Sequence, residues 1–209
     1  MTAVAKGVRQ KKPTINSGLI KPFLPLYVSW IGNRELKSLT HLEMAGQTDN
    51  RTIALTGKQL YCGMYANELM IRLTHPFDPH PGIYEAYESL LCQLSTTQDL
   101  ELPLRRFELL FLTELGYGFD FDLEAATGES IVADKTYIFH ADSGFTEINA
   151  TVSASLATQI FSGAEIQTIG KFATESPLLK PAAKRLMRLA LNERLGGKTL
   201  KSRDLFKTF

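Results

Sequence analysis

The chain has 209 residues, 44% of them hydrophobic and 22% charged, enough for one large or two small globular domains with a real core. No apolar run approaches the ~20 residues that span a bilayer, and the opening MTAVAKGVRQKK has no apolar signal core. The formal net charge of +1 hides basic ends around an acidic middle, and the two cysteines, Cys62 and Cys92, fit a reduced cytosolic setting.

The N-terminal part reads as β. KKPTINSG is a turn-rich, basic loop. In PFLPLYVSWIG, Leu24, Leu26, Val28 and Trp30 alternate with Pro25, Tyr27 and Ser29, a period of two. Gly32-Asn33 marks a hairpin turn into a second strand over 35–46. There Leu36 and Leu42 share a parity that Leu39 breaks, so a β-bulge is expected. From Gly57 the period turns helical, with Leu60, Met64, Leu69 and Leu73 in register. HPFDPHPG breaks the chain, and residues 83–94 give a second helix. Pro103 suits the first turn of a third helix, which Gly116 stops. The stretch 117–153 is polar and Gly-punctuated, with strand-like KTYIFHADSGFTEI. Short helices are expected near 155–162 and 164–172. Ser176 as N-cap and Pro177 start the last helix, which runs to about Leu195 before Gly196-Gly197. The expected class is α+β: a small β unit over 1–50, then a helical domain over 51–209 with a small irregular or β insertion near 117–153.

Few patterns carry chemistry. His75, Asp78 and His80 lie in a proline-broken loop without an HExxH frame, which reads as a helix-entry loop. LGGK at 195–198 lacks the spacing of a phosphate loop and ends a helix instead of starting one. The two cysteines sit in helical patterns as core thiols, form no Cys-x-x-Cys pair and cannot make a four-thiolate site. With no GxSxG, no GxGxxG and no paired carboxylates, the sequence argues against an enzyme and implies no cofactor.

Charge is more informative. Residues 1–21 carry Lys6, Arg9, Lys11, Lys12 and Lys21 with no acid, and residues 180–209 carry nine basic residues against Glu193 and Asp204. Between them, residues 85–147 hold thirteen Asp and Glu against Arg105, Arg106 and Lys135. Basic segments suit a polyanion such as nucleic acid, or are simply solvated. On the last helix Lys184 and Arg188 are i, i+4 and share a face, with Arg185 beside them and Lys198, Lys201 and Arg203 following.

LPLRRFELLFLTELGYG sets two arginines in an apolar run. On a wheel of about 100° per residue, Leu104, Phe107, Phe111 and Leu115 form one face. Leu109, Leu110 and Leu112 spread over much of the rest, as in a central, buried helix. Arg106 falls beside Thr113 on the polar sector, whereas Arg105 falls between Leu109 and Leu112. Two alternatives stand for Arg105: an intrahelical ion pair with Glu101 or Glu108, or a guanidinium at the rim of an apolar pocket that takes a hydrophobic peptide end and its carboxylate.

LRRFELLFLTELGYG, ANELMIRL, DPHPGIYEAYE and LGGKTLKSRDLF, together with AKGVRQKK and IKPFLPLYVSWIGNRELKSL, resemble in order the RecO family of bacterial recombinational repair proteins. The resemblance implies an N-terminal OB-fold barrel and a mainly helical C-terminal domain, with no enzymatic catalysis. It implies binding of single- and double-stranded DNA, annealing of complementary strands, and, with RecR, loading of RecA onto DNA coated by single-stranded-DNA-binding protein. It implies contact with that protein's acidic, phenylalanine-ended tail, with Arg105 at the family's position for tail contact and its wheel neighbours Leu109 and Leu112 expected beside it, and a cytoplasmic place at the bacterial nucleoid, not in a membrane. Phosphate contacts are expected from Lys6, Arg9, Lys11, Lys12 and Lys21 in the OB module and from Lys184, Arg188, Lys201 and Arg203 beyond it. Many relatives carry a four-cysteine zinc site after the GYG motif; FDFDLEAATGES has no cysteine, so no metal is expected. The family also begins about thirty residues earlier, so the barrel is expected to be incomplete, with exposed strand edges. The alternative function is a protein-docking adaptor whose truncated barrel no longer binds DNA.

Overall fold

The computed structural model describes residues 2–5, 15–32, 36–45, 53–148 and 153–206. The chain divides into two compact units, Met1–Thr56 with His75–Pro79, and Gly57–Thr74 with His80–Phe209.

The N-terminal unit holds β1 (Thr2–Ala5), β2 (Leu26–Ile31) and β3 (Leu36–Met44) in the order β1-β3-β2. Strand β1 runs parallel to β3, and β2 runs antiparallel to it. Register runs from Leu26↔Met44 to Ser29↔His41, then slips so that Trp30 faces Leu39 and Thr40 is left over. This is the bulge that the leucine parity required. It returns Leu39 to the face of Leu42 and Val28, because paired residues project to the same side. Among the described residues the sheet has three strands and does not close, in keeping with an incomplete OB-fold, and Trp30 stays 46% exposed. Asn16 caps a 3-10 turn at Ser17–Leu19 by accepting the Gly18 N–H at 2.9 Å. In the 75–79 segment, Phe77 lies under the Lys37 ammonium, 5.5 Å from ring centroid to nitrogen. Among the described residues, no group of three His, Cys, Asp or Glu is placed to hold a metal.

The second unit contains α1 (Gly57–Leu73), α2 (Pro81–Thr96), α3 (Glu101–Glu114), α4 (Gly163–Gly170), α5 (Leu179–Arg194) and α6 (Ser202–Leu205). A small antiparallel sheet, ordered β5-β4-β6, is made by β4 (Thr136–His140), β5 (Gly144–Glu147) and β6 (Ile160–Ser162). Pro81 and Pro103 occupy first turns of α2 and α3, where a missing N–H costs nothing. Gly116 takes φ +80° just past α3, and the Tyr117 N–H turns back to the Leu112 carbonyl at 2.8 Å. The core is aliphatic and aromatic: Leu69, Leu94, Phe111, Ala182, Leu186 and Met187 are wholly buried. No helix of the described residues is long and apolar enough to cross a membrane.

Three elements differ from the sequence expectation. Residues 154–162 are a 3-10 turn, Ala154–Gln159, followed by β6. Ile160 and Phe161 leave the helical option because they pair with Ile138 and Tyr137, and Phe161 joins Phe139 and Phe145 in a buried ring cluster. Strand β6 passes directly into α4, where Ser162 and Glu165 close a reciprocal capping box. A Cβ on Gly163 would meet the Val132 carbonyl oxygen at 1.9 Å, so only glycine fits that junction. Helix α5 starts at Leu179, two residues beyond Pro177, with Ser176 Oγ accepting the Leu178 N–H at 3.3 Å. It is followed by α6, which no periodic pattern announced.

In the 118–148 region, Glu124 gathers the N–H groups of Ala126, Thr127 and Glu147 and the Thr127 hydroxyl. The Thr127 bonds lead in holding its carboxyl below the ordinary value. Phe119 and Phe121 pack edge-on to one another and reach Phe139 and Phe145.

Candidate nucleic-acid interface

Helix α5 is strongly amphipathic. Leu179, Ala182, Ala183, Leu186, Met187, Ala190 and Leu191 point inward, and the basic residues fall on the other sector. That sector floors an open cleft of about 1180 Å³. Its basic lining is Lys184, Arg185 and Arg188 from α5 with Arg203 from α6, and the opposite wall is the β4–β5 turn with Asp142.

Most α5 cations are already engaged. Lys180 meets Asp99 at 2.5 Å and Lys184 meets Glu101. Lys180 leads in holding the Asp99 carboxyl below its ordinary value. Arg185 bonds the Glu165 carboxylate at 2.9 Å and the Ile160 carbonyl at 3.0 Å while stacking 4.2 Å from the Phe161 ring. Arg194 bonds Asp142 and the Ala141 carbonyl and lies 4.0 Å from the Tyr117 ring. Arg188, which is exposed, and Arg203, which is half-buried, make no ion pair among the described residues. These two guanidiniums are the cleft's unpaired cations among the described residues, and the exposed Glu193 lines it as well.

Near them lies a buried carboxylate. Glu108 of α3 is 0% exposed, receives the Tyr65 hydroxyl at 2.6 Å, and pairs with Arg105 at 2.8 Å. Burial pushes its carboxyl above the ordinary range, against the pull of Arg105, the Tyr65 bond, Arg203 and Arg188. Burial likewise raises Tyr65, and it pushes the neighbouring Cys62 thiol up to about 11. Of the two arrangements open for Arg105, the ion pair with Glu108 is present, and the Arg105 side chain is only 12% exposed. Leu109 is half-buried, and Leu112 is 1% exposed in the core. Arg106 is on the exposed side as expected, 5.2 Å from the Phe172 ring. There it edges a smaller cleft of about 240 Å³ with Leu102, Pro103 and Asp99.

The segment bearing Arg203 is fixed from α1. The Glu68 carboxylate accepts the Lys201 N–H at 3.0 Å and the Ser202 N–H at 2.8 Å, and pairs with Arg72 at 2.8 Å. Burial opposes its charge, but the Ser202 and Lys201 bonds and Arg72 outweigh burial and hold the carboxyl below its ordinary value.

Among the residues expected to meet phosphate, Arg188 and Arg203 thus line one cleft with Lys184, the last already paired. Lys201 is exposed one residue before α6. Lys21 is exposed in the N-terminal unit, and Lys6, Arg9, Lys11 and Lys12 lie outside the described residues. Sequence patterns gave no sign of the Tyr65–Glu108 bond, 43 residues apart, or of the bonds from the Lys201 and Ser202 amides to Glu68, more than 130 residues apart.

The family model described as "Recombination protein O C terminal" matches residues 55–204, which take in the whole cleft and α3. The chain belongs to the RecO family. Proteins named DNA repair protein RecO match nearly all of it. That of Vibrio cholerae is 39% identical over 99% of this chain and 82% of its own length. That of Halorhodospira halophila is 38% identical over 99% and 84%, and that of Methylococcus capsulatus 36% over 98% and 80%. The RecO-family match covers every element of the second unit from α1 through the third residue of α6.

Proposed function

We propose that this chain is a DNA repair and recombination mediator that binds single- and double-stranded DNA through the α5–α6 cleft and the basic segment around Lys6, Arg9, Lys11, Lys12 and Lys21. The observation that carries this is the pair Arg188 and Arg203, guanidiniums without an ion pair among the described residues, lining one open cleft. Among the lining residues the exposed guanidinium of Arg188 and the half-buried Arg203 supply charge, and Phe139 is buried, which favours contact with phosphate over stacking on bases. Two strands neutralised together lose their mutual repulsion, which is the physical basis for annealing. In the cell it acts with RecR to load RecA onto DNA coated by single-stranded-DNA-binding protein, in the bacterial cytoplasm at the nucleoid.

The test is fluorescence anisotropy with labelled oligonucleotides at salt concentrations between about 50 and 200 mM. Affinity should fall steeply with salt, and Arg188→Ala and Arg203→Ala should each lower the log–log slope by about one. Salt-insensitive binding, or a double variant that binds like the parent, overturns the proposal. If complementary strands are not annealed and DNA is not bound, the docking-adaptor alternative stands in its place.

A second site follows from α3. We propose that the acidic, phenylalanine-ended tail of single-stranded-DNA-binding protein docks along α3 at Arg105 and Leu109, with Leu112 behind them in the core, and that the cleft where Arg106 edges the apolar Leu102, Pro103 and Phe172 takes part. An apolar floor beside a guanidinium suits an aromatic C-terminus, whose ring is buried while its carboxylate is bonded. Arg106→Ala, which leaves the buried Arg105–Glu108 pair intact, and Arg105→Ala assayed where circular dichroism shows it folded, should weaken a tail peptide much more than bare DNA. Equal losses on peptide and DNA would remove the site.

A further inference from the structure

Helix α6 lacks a cap of its own. Its N-cap position is Lys201, whose side chain bonds no backbone N–H of the helix, and four unsatisfied N–H groups open every helix. Two of them are satisfied instead by Glu68, from a helix more than 130 residues earlier, at 3.0 and 2.8 Å. The carboxylate is itself braced by Arg72 one turn on. Beside this clamp, Leu200 is fully buried and Phe206 packs edge-on to Tyr61 of α1, 5.7 Å between centroids. The chain leaves α5 through Gly196 and Gly197 at positive φ, and no helix lies between α5 and α6 to direct it. The direction in which Arg203 points is therefore set on α1, not on α5.

We infer that Glu68 is a positioning residue for polyanion binding: by clamping Lys201 and Ser202 it holds Arg203 in the cleft beside Arg188. This rests on the proposal that the cleft binds nucleic-acid phosphate. The sign of the effect is diagnostic. An acidic side chain near a phosphate-binding groove repels the ligand, so by charge alone Glu68→Ala should tighten binding. The clamp requires the opposite, because releasing α6 disperses Arg203.

The experiment measures anisotropy of a labelled single-stranded oligonucleotide with the full chain as parent, Glu68→Ala, Arg203→Ala, Arg188→Ala and the two double variants containing Glu68→Ala. Glu68→Ala should weaken binding severalfold and lower the salt slope by about one, as Arg203→Ala does. It should add nothing in the Arg203→Ala background and still weaken binding in the Arg188→Ala background. Faster hydrogen exchange at the Lys201 and Ser202 amides should accompany it. Tighter or unchanged binding by Glu68→Ala, with Arg203→Ala weakened, overturns the inference and leaves the cleft intact. Loss in every background alike shows a general folding defect and overturns it too. If Arg203→Ala and Arg188→Ala both bind like the parent, the reading of the cleft itself fails.

Discussion

Arg105→Met removes the counter-charge of Glu108 while keeping most of the side chain's length. In the parent, Glu108 is wholly buried and held by Arg105 at 2.8 Å and Tyr65 at 2.6 Å. Removing one member of a buried pair typically costs about 3–5 kcal/mol, because the remaining charge keeps its desolvation cost and loses its attraction. For a domain of this size each kcal/mol moves Tm by about 2–4 °C, so melting near neutral pH should fall by on the order of 10 °C. The loss depends on pH, and its sign is fixed. Burial already holds the Glu108 carboxyl above its ordinary value of 4.5 against the pull of Arg105, and without that pull it rises further. Between the unfolded and the raised folded value the native state binds a proton that the unfolded state releases, so stability falls as pH increases. The deficit of Arg105→Met is thus smallest in acid and grows toward neutrality. Glu108→Gln has no such component, and adding it to Arg105→Met should recover much of the lost stability. Thermal melts by far-UV circular dichroism across that range measure all four proteins. A deficit under about 1 kcal/mol, the scale of an exposed pair, or one that does not change with pH, would refute a Glu108 carboxylate locked in the core.

Phe145→Ala empties the centre of the ring cluster among Phe121, Phe139 and Phe161. It should cost about 3–5 kcal/mol, read as a lower urea midpoint at unchanged slope. Gly163→Ala forces a methyl into the Val132 carbonyl, and the same titration should show a loss of about 1–3 kcal/mol. Glu124, whose carboxyl the Thr127 bonds hold low, contributes stability that is present above its unfolded value and lost as pH falls through its folded value. Glu124→Gln should therefore flatten the acid limb of a stability–pH curve. Cys62, 2% exposed and pushed up to about 11 by burial, should resist maleimide in the folded state while the half-buried Cys92 is labelled first.

Much of the fold is local and could be read from the chain. Prolines at first turns and Gly116 bounded α2 and α3, and the odd parity of Leu39 announced the bulge opposite Trp30. Residues 160–162 were misjudged because a three-residue strand carries no period. Only pairing with β4 decides its state, and β4 is more than twenty residues upstream. For Arg105 the wheel offered the correct partner, since Glu108 is one turn away. It could not show that the pair is buried, because burial comes from Tyr65 and the elements packed over α3. The cleft was half legible: the i, i+4 spacing put Lys184 and Arg188 on one face. Which of the two cations is already engaged depends on Glu101, and Arg203 enters only through the clamp of α6 on Glu68.

The four acids that engage α5 cations, Asp99, Glu101, Asp142 and Glu165, all precede that helix in the chain. During synthesis a basic segment emerges first and the acidic middle follows it, and the cations that pair with these four acids arrive only with α5. A chain cut before α5 would be net acidic and would lose both free guanidiniums of the cleft. Such a fragment would keep only the N-terminal cations Lys6, Arg9, Lys11, Lys12 and Lys21 as candidate phosphate contacts and should bind nucleic acid more weakly than the whole chain. The charge balance of the growing chain therefore swings from basic to acidic and back, a property of chain order that the net charge of +1 conceals.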